Sequence, residues 1–144
     1  MKNIDDIMEV GMGQIRKANS ETNQFTDHLK PCFGVGFYNT NTKESYMLHY
    51  PDLMFYDFEK DVESIKSDLG AKDTIAYACG GATSSTEDNS YNKFILEDRD
   101  YIETTLKDKF KDENVSISWS SDDEMAELYL NKNTSEFVLK KVKN

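Results

Sequence analysis

Between Cys32 and Tyr50 the side chains alternate with a period of two, break at a polar turn, and alternate again. Phe33, Val35 and Phe37 fall on one side of the first run, and Gly34, Gly36 and Tyr38 on the other. Thr40-Asn41-Thr42-Lys43 has the composition of a turn. In the return run, Glu44–Tyr50, the residues Tyr46, Leu48 and Tyr50 share one side and Met47 and His49 the other. Pro51 ends it, because proline cannot donate to a ladder. Successive side chains of a strand point to opposite faces, so this pattern predicts an antiparallel hairpin. A hairpin with an apolar face must be covered, and the remaining chain has to supply the covering layers.

Asp57 is placed to cap a helix running to about Leu69, with Phe58, Val62, Ile65 and Leu69 on one face and Gly70 just past its end. A second amphipathic helix is predicted over Glu97–Lys111, with Ile102, Leu106 and Phe110 aligned. Residues 8–15 read as a first strand with a glycine-rich middle, and residues 19–31 as a polar, irregular stretch ending at Pro31. Residues 74–79 read as a short strand, followed by the tight turn Gly80-Gly81-Ala82 and a polar loop over 83–93. Val115, Ile117 and Trp119 alternate as a strand, and Ala126–Leu130 and Glu136–Val142 form a last hairpin around 131–134. The predicted order is β-β-β-α-β-α-β-β-β. That is an α+β fold of mostly antiparallel, sandwich-like sheets with two covering helices, in a single domain over residues 1–144.

With 27 acidic against 17 basic residues, the net charge is -10. Nucleic acid is disfavoured as a partner, because phosphate neutralisation needs lysine and arginine, and so are anionic membranes. No apolar run approaches the ~18 residues of a membrane-spanning helix, so no membrane insertion is expected. The opening MKNIDDIMEV has two aspartates and no apolar core, unlike a classical signal peptide. A cytoplasmic protein is expected, with secretion into a host by a non-classical route as the alternative.

The chain holds two cysteines, Cys32 and Cys79, and two histidines, His28 and His49. Cys32 opens the first strand of the hairpin and His49 nearly closes the second, so both sit near an edge that a substrate can reach. A thiolate attacks a carbonyl, and an imidazole activates the thiol and protonates the leaving amine. Thr26 precedes Cys32 closely enough for its hydroxyl or its carbonyl to hold one imidazole tautomer. A cysteine is often only a small buried hydrophobe, and on the pair alone that is the better reading.

Three stretches carry a family likeness: Thr26; Leu29-Lys30-Pro31-Cys32; and His49-Tyr50-Pro51-Asp52. They resemble the motif of the chemotaxis receptor glutamine deamidases, the CheD family, and more distantly that of the bacterial toxin deamidases sharing its fold. In that motif a threonine precedes a Leu-Gly-Ser-Cys stretch, and a histidine closes the next strand before Pro-Asp. Val10-Gly11-Met12-Gly13-Gln14 is similar to the family's first strand, Cys79-Gly80-Gly81-Ala82 to its Phe-Gly-Gly-Ala turn, and residues 129–142 to its last hairpin. The resemblance implies a CheD-like fold over nearly the whole chain and a catalytic Cys32, His49 and Thr26. It also implies a protein substrate bearing a target glutamine, acted on in receptor adaptation or as an effector on a foreign protein. It implies no metal or organic cofactor.

Two departures stand out. Lys30-Pro31 replaces the family's Gly-Ser. If an oxyanion donor came from the residue before the cysteine, Pro31 has deleted it; if the donor is the Cys32 N–H, Pro31 only stiffens the loop. An acidic stretch, SSDDEMAE over 120–127, stands where the family carries glycine and arginine. A CheD-like binding module without turnover is therefore the rival to the deamidase, and a protease or transglutaminase is a third reading. Cys79 reads as a buried inert thiol and His28 as an exposed histidine. The acidic run at 122–124 reads as solvated surface, since it lacks the spaced ligands of a calcium loop.

Overall fold

The computed structural model describes residues 3–143. In chain order the elements are β1 (Ile7–Glu9), β2 (Ile15–Ala18), β3 (Asn23–Leu29), β4 (Phe33–Asn39), β5 (Ser45–Tyr50), α1 (Phe58–Leu69), β6 (Thr74–Gly80), α2 (Asn89–Lys109), β7 (Val115–Trp119), β8 (Glu124–Asn131) and β9 (Glu136–Lys143). The fold is α+β, as expected, with two mixed sheets ordered β1-β3-β8-β9 and β2-β5-β4-β6-β7. β1–β3 and β6–β7 pair in parallel and every other neighbouring pair is antiparallel.

The predicted hairpin is the centre of the larger sheet. Phe33 pairs with Tyr50, Val35 with Leu48 and Phe37 with Tyr46. On that face Phe33, Val35, Phe37, Leu48 and Tyr50 pack with Phe58, Val62 and Ile65 of α1 and Ile95, Ile102 and Leu106 of α2. The opposite face carries Cys32, Tyr38, Met47 and Cys79 against Leu29, Ala126, Leu128 and Leu130 of the smaller sheet. The alternation in the sequence thus divides two cores, one under the helices and one between the sheets. α1 is capped by the Asp57 carboxylate, which accepts the Lys60 N–H at 3.1 Å.

Three predicted elements need correction. Residues 8–15 are two strands in different sheets, separated by a turn around Gly11–Gly13. Residues 19–31 contain β3, a central strand of the smaller sheet. Its polar composition hides it, because its buried polar side chains find partners inside. Ser45 donates to Gln24 Oε1 at 2.7 Å, Gln24 Nε2 donates to the Arg16 carbonyl at 3.0 Å, and Lys132 N–H donates to Asn23 Oδ1 at 2.8 Å. Finally, α2 starts at Asn89 rather than Glu97, capped by Asp88 accepting the Tyr91 N–H at 3.0 Å. Its first turns stand proud of the core, so they show no apolar stripe.

Lys132 is completely buried, and its ammonium donates to the Asn19 carbonyl at 2.5 Å. Burial pushes its pKa down to about 8 from 10.5. Between those values the unfolded chain holds more protons than the folded one, so this group makes stability rise with pH across that window. In Lys132→Met that part of the rise disappears; urea midpoints of both proteins at the two ends of the window test it.

Candidate active site

His49 is fixed from both sides before its ring makes any contact. Its N–H donates to the Gln14 carbonyl at 3.1 Å, and its carbonyl accepts the Gly13 N–H at 2.6 Å. The ring enters the space between the sheets, where the residue is 4% exposed. There His49 Nδ1 lies 2.7 Å from Thr26 Oγ1, and Thr26 Oγ1 donates to the Val10 carbonyl at 2.7 Å. The hydroxyl has one proton, and Val10 takes it. Thr26 can therefore only accept from His49, which places the imidazole proton on Nδ1 and leaves a lone pair on Nε2. Nε2 is buried and has no hydrogen-bond partner among the described residues. Thr26 meets the imidazole through its hydroxyl, not its carbonyl.

A bulge just after Thr26 turns Leu29 to the same side. β3 pairs with β8 through Thr26–Leu128 and Leu29–Ala126, with a register shift between Thr26 and Leu29. His28 takes up the shift at φ 57°. Residues three apart on a regular strand face opposite ways, but here Thr26 and Leu29 are both fully buried. Both crowd Gly34, where an added Cβ would lie 2.6 Å from Leu29 Cδ1 and 3.4 Å from Thr26 Cγ2.

Gly34 is flanked by His49 on β5 and Cys79 on β6. Cys32 lies in the bend just before β4, two residues ahead of Gly34, and packs in the core between the sheets, the space that the His49 ring also enters. Sγ makes no hydrogen bond to Nε2 in this arrangement. The Cys32 carbonyl accepts the Gly81 N–H at 2.8 Å, and the Lys30 carbonyl accepts the Ala82 N–H at 2.5 Å. The glycine turn thus holds the Lys30-Pro31-Cys32 bend from behind. Arg99 in turn holds that turn, its Nε donating to the Gly81 carbonyl at 2.8 Å and a terminal nitrogen to the Ser120 carbonyl at 2.7 Å.

Burial decides the resting charge state. It pushes the Cys32 thiol up, and Asp52 adds to this, while the residue's own backbone N–H pulls the other way. It also pushes His49 down, against a smaller opposing effect of Asp27. The resting pair is a thiol and a neutral imidazole. The imidazole base enters the space that also holds the thiol it would deprotonate, so charge develops only as the thiol attacks. Thr26→Val keeps the volume and deletes the acceptor for Nδ1–H. The expected result is about 10²-fold lower turnover and a displaced acid limb of the pH–rate profile. Thr26→Ser restores both, which a purely structural role would not require.

Sequence reasoning brought Thr26, Cys32 and His49 to one place, and the structure joins Thr26 to His49 directly. It missed the Val10 carbonyl, Asp52, Tyr91 and Arg99. Asp52 stood in the quoted His-Tyr-Pro-Asp stretch without a role, and Tyr91 lay in the segment read as a loop. Cys79 is fully buried, its thiol pushed up to about 12 by burial, and donates to the Gly34 carbonyl at 3.6 Å. His28 is exposed and pairs with Asp27 at 3.0 Å. Among the described residues no helix is long and apolar enough to cross a membrane. Neither a family model nor a curated protein matches this chain.

Proposed function

We propose that the chain is a cysteine-dependent protein-glutamine deamidase, with Cys32 as nucleophile, His49 as base and acid, and Thr26 as the residue positioning His49. The observation that carries this is the Thr26 hydroxyl, which accepts from His49 Nδ1 at 2.7 Å while donating to Val10. It leaves a buried, unpartnered Nε2 base in the space between the sheets that also holds Cys32. Nε2 takes the thiol proton as Sγ attacks the side-chain amide carbon. The tetrahedral oxyanion collapses, the C–N bond breaks, and the His49 proton leaves with ammonia. Water, deprotonated by Nε2, then cleaves the thioester to glutamate and the free thiol. The Cys32 N–H is the oxyanion donor this reading uses, so Pro31 stiffens the bend without removing it.

Cys32 is 8% exposed and His49 4%. Side chains this little exposed are reached more readily by a thin glutamine side chain than by a peptide backbone, which favours amide hydrolysis over proteolysis. The likeness to the CheD family supports the same reading and sets receptor adaptation and effector action as its two settings. One observation favours the rival binding module: burial keeps the thiol protonated and unpaired. Glutamine peptides incubated with the protein decide between them. Ammonia release with an amide-to-acid mass gain is expected, and incorporation of an added primary amine instead marks a transglutaminase. Release that persists undiminished in Cys32→Ser sinks the assignment.

A further inference from the structure

The surface around Cys32 is both apolar and acidic. Met54 is 76% exposed and Phe55 85%, in the loop that follows His49-Tyr50-Pro51. Phe94 is 65% exposed on α2. Tyr91, Phe94 and Asp98 fall at i, i+3 and i+7, a single stripe of that helix. Two contacts hold this helix beside the site. Arg99 Nε donates to the carbonyl of Gly81, whose N–H donates to the Cys32 carbonyl, and the Ser84 N–H donates to Asn92 Oδ1 at 2.8 Å. On the other side of the loop, Met12 is 66% exposed in the turn whose Gly13 N–H holds the His49 carbonyl. Tyr56 closes this side, stacked on Tyr50 at 4.2 Å between ring centroids.

Acids stand among these apolar side chains. Asp52 lies two residues past Tyr50, which pairs with Phe33 next to Cys32; Glu87 stands just before the start of α2 and Asp98 on its stripe. None of Asp52, Glu87 and Asp98 forms a salt bridge with a described residue. Two nearby cations are engaged elsewhere: Arg99 on backbone carbonyls and Lys93 towards Glu97 at 3.9 Å. Crowding carboxylates beside a reacting thiol opposes thiolate formation, so these charges work against the chemistry unless a cation meets them. A basic group on the incoming substrate would offset them, and would lower the Cys32 pKa at the moment of attack.

We propose that this collar receives a protein segment in which the target glutamine stands beside a basic side chain and a large apolar one. The fate of the glutamine rests on the deamidase reading; the docking does not. Met54, Phe55 and Phe94 receive the apolar neighbour, and Asp52, Glu87 and Asp98 the cation. An acidic segment is excluded by like charge.

The test uses short synthetic peptides with one central glutamine, flanked by arginine and leucine, by glutamate and leucine, or by alanine alone. Binding to Cys32→Ser is read by calorimetry and turnover by the wild type as ammonia release. The arginine–leucine peptide is expected to bind at least about tenfold tighter than the glutamate–leucine one, as a few rim charges and one covered apolar side chain allow. The margin shrinks as salt is raised. Phe55→Ser in the wild type is expected to raise KM for this peptide while leaving its kcat unchanged. Equal binding of the three peptides, or a preference for glutamate, overturns the collar even if all are deamidated. Selective binding without ammonia release sustains the collar and sinks the deamidase.

Discussion

Cys32→Ser and His49→Ala are each expected to lower ammonia release from a glutamine substrate by about 10³-fold or more, with the double variant falling no further. In the proposed scheme the two side chains share one proton transfer, so removing either removes the step. The pH dependence separates this scheme from a preformed ion pair. Burial holds His49 below its ordinary value of 6.5, so the base form is present at neutral pH. The acid limb of kcat/KM therefore lies below that value, and activity falls only as the pH drops through the depressed pKa. Burial raises the Cys32 thiol, so iodoacetamide labels Cys32 more slowly at neutral pH than it labels an ordinary exposed cysteine. An acid limb at or above 6.5, or rapid labelling of Cys32 in acid, contradicts the neutral resting pair. Activity intact in both single variants returns the chain to the binding-module reading.

Gly80→Ala is expected to destabilise the protein by about 2–4 kcal/mol and to disturb the thiol together with the fold. Gly80 sits at φ 84°, where a side chain is strained, and a Cβ there would collide with the Cys32 carbonyl oxygen. That oxygen also accepts the Gly81 N–H, so the collision pushes apart the contact holding the Cys32 bend. Gly70→Ala is the control. It has the same φ of 84° with nothing within 4 Å, and it is expected to cost only the conformational strain, about 1–3 kcal/mol. Urea unfolding of the two variants isolates the collision. Equal losses would show that the glycine turn does not bear on Cys32 as its hydrogen bonds indicate.

The central hairpin, α1 and the last hairpin were legible because each buries one face and leaves the other different. Phe33–Val35–Phe37 and Phe58–Val62–Ile65 are periodicities that water itself enforces. β3 was not legible, because Asn23, Gln24 and Thr26 are buried polar residues whose partners lie on other strands. The early turns of α2 were illegible for the opposite reason: they expose apolar and polar side chains alike. Cys32, His49 and Thr26 could be picked out by residue type and order, since the chain holds so few thiols and imidazoles.

Local sequence by itself determined the α+β class, the hairpin that carries Cys32 and His49 at its open end, and the face to which each points. These follow from strand periodicity and from proline at the strand's end, both properties of neighbouring residues. Tertiary structure alone decided which nitrogen of His49 is the base, because that depends on Thr26 giving its single proton to Val10 across a bulged strand. It alone decided that the thiol and imidazole rest uncharged, because desolvation arises only when two sheets close over them. It also decided that α2, which carries Phe94 and Asp98, stands beside the Cys32 bend, through Arg99 and Gly81. Residues distant in the chain acquire a common chemistry only when packing makes them neighbours.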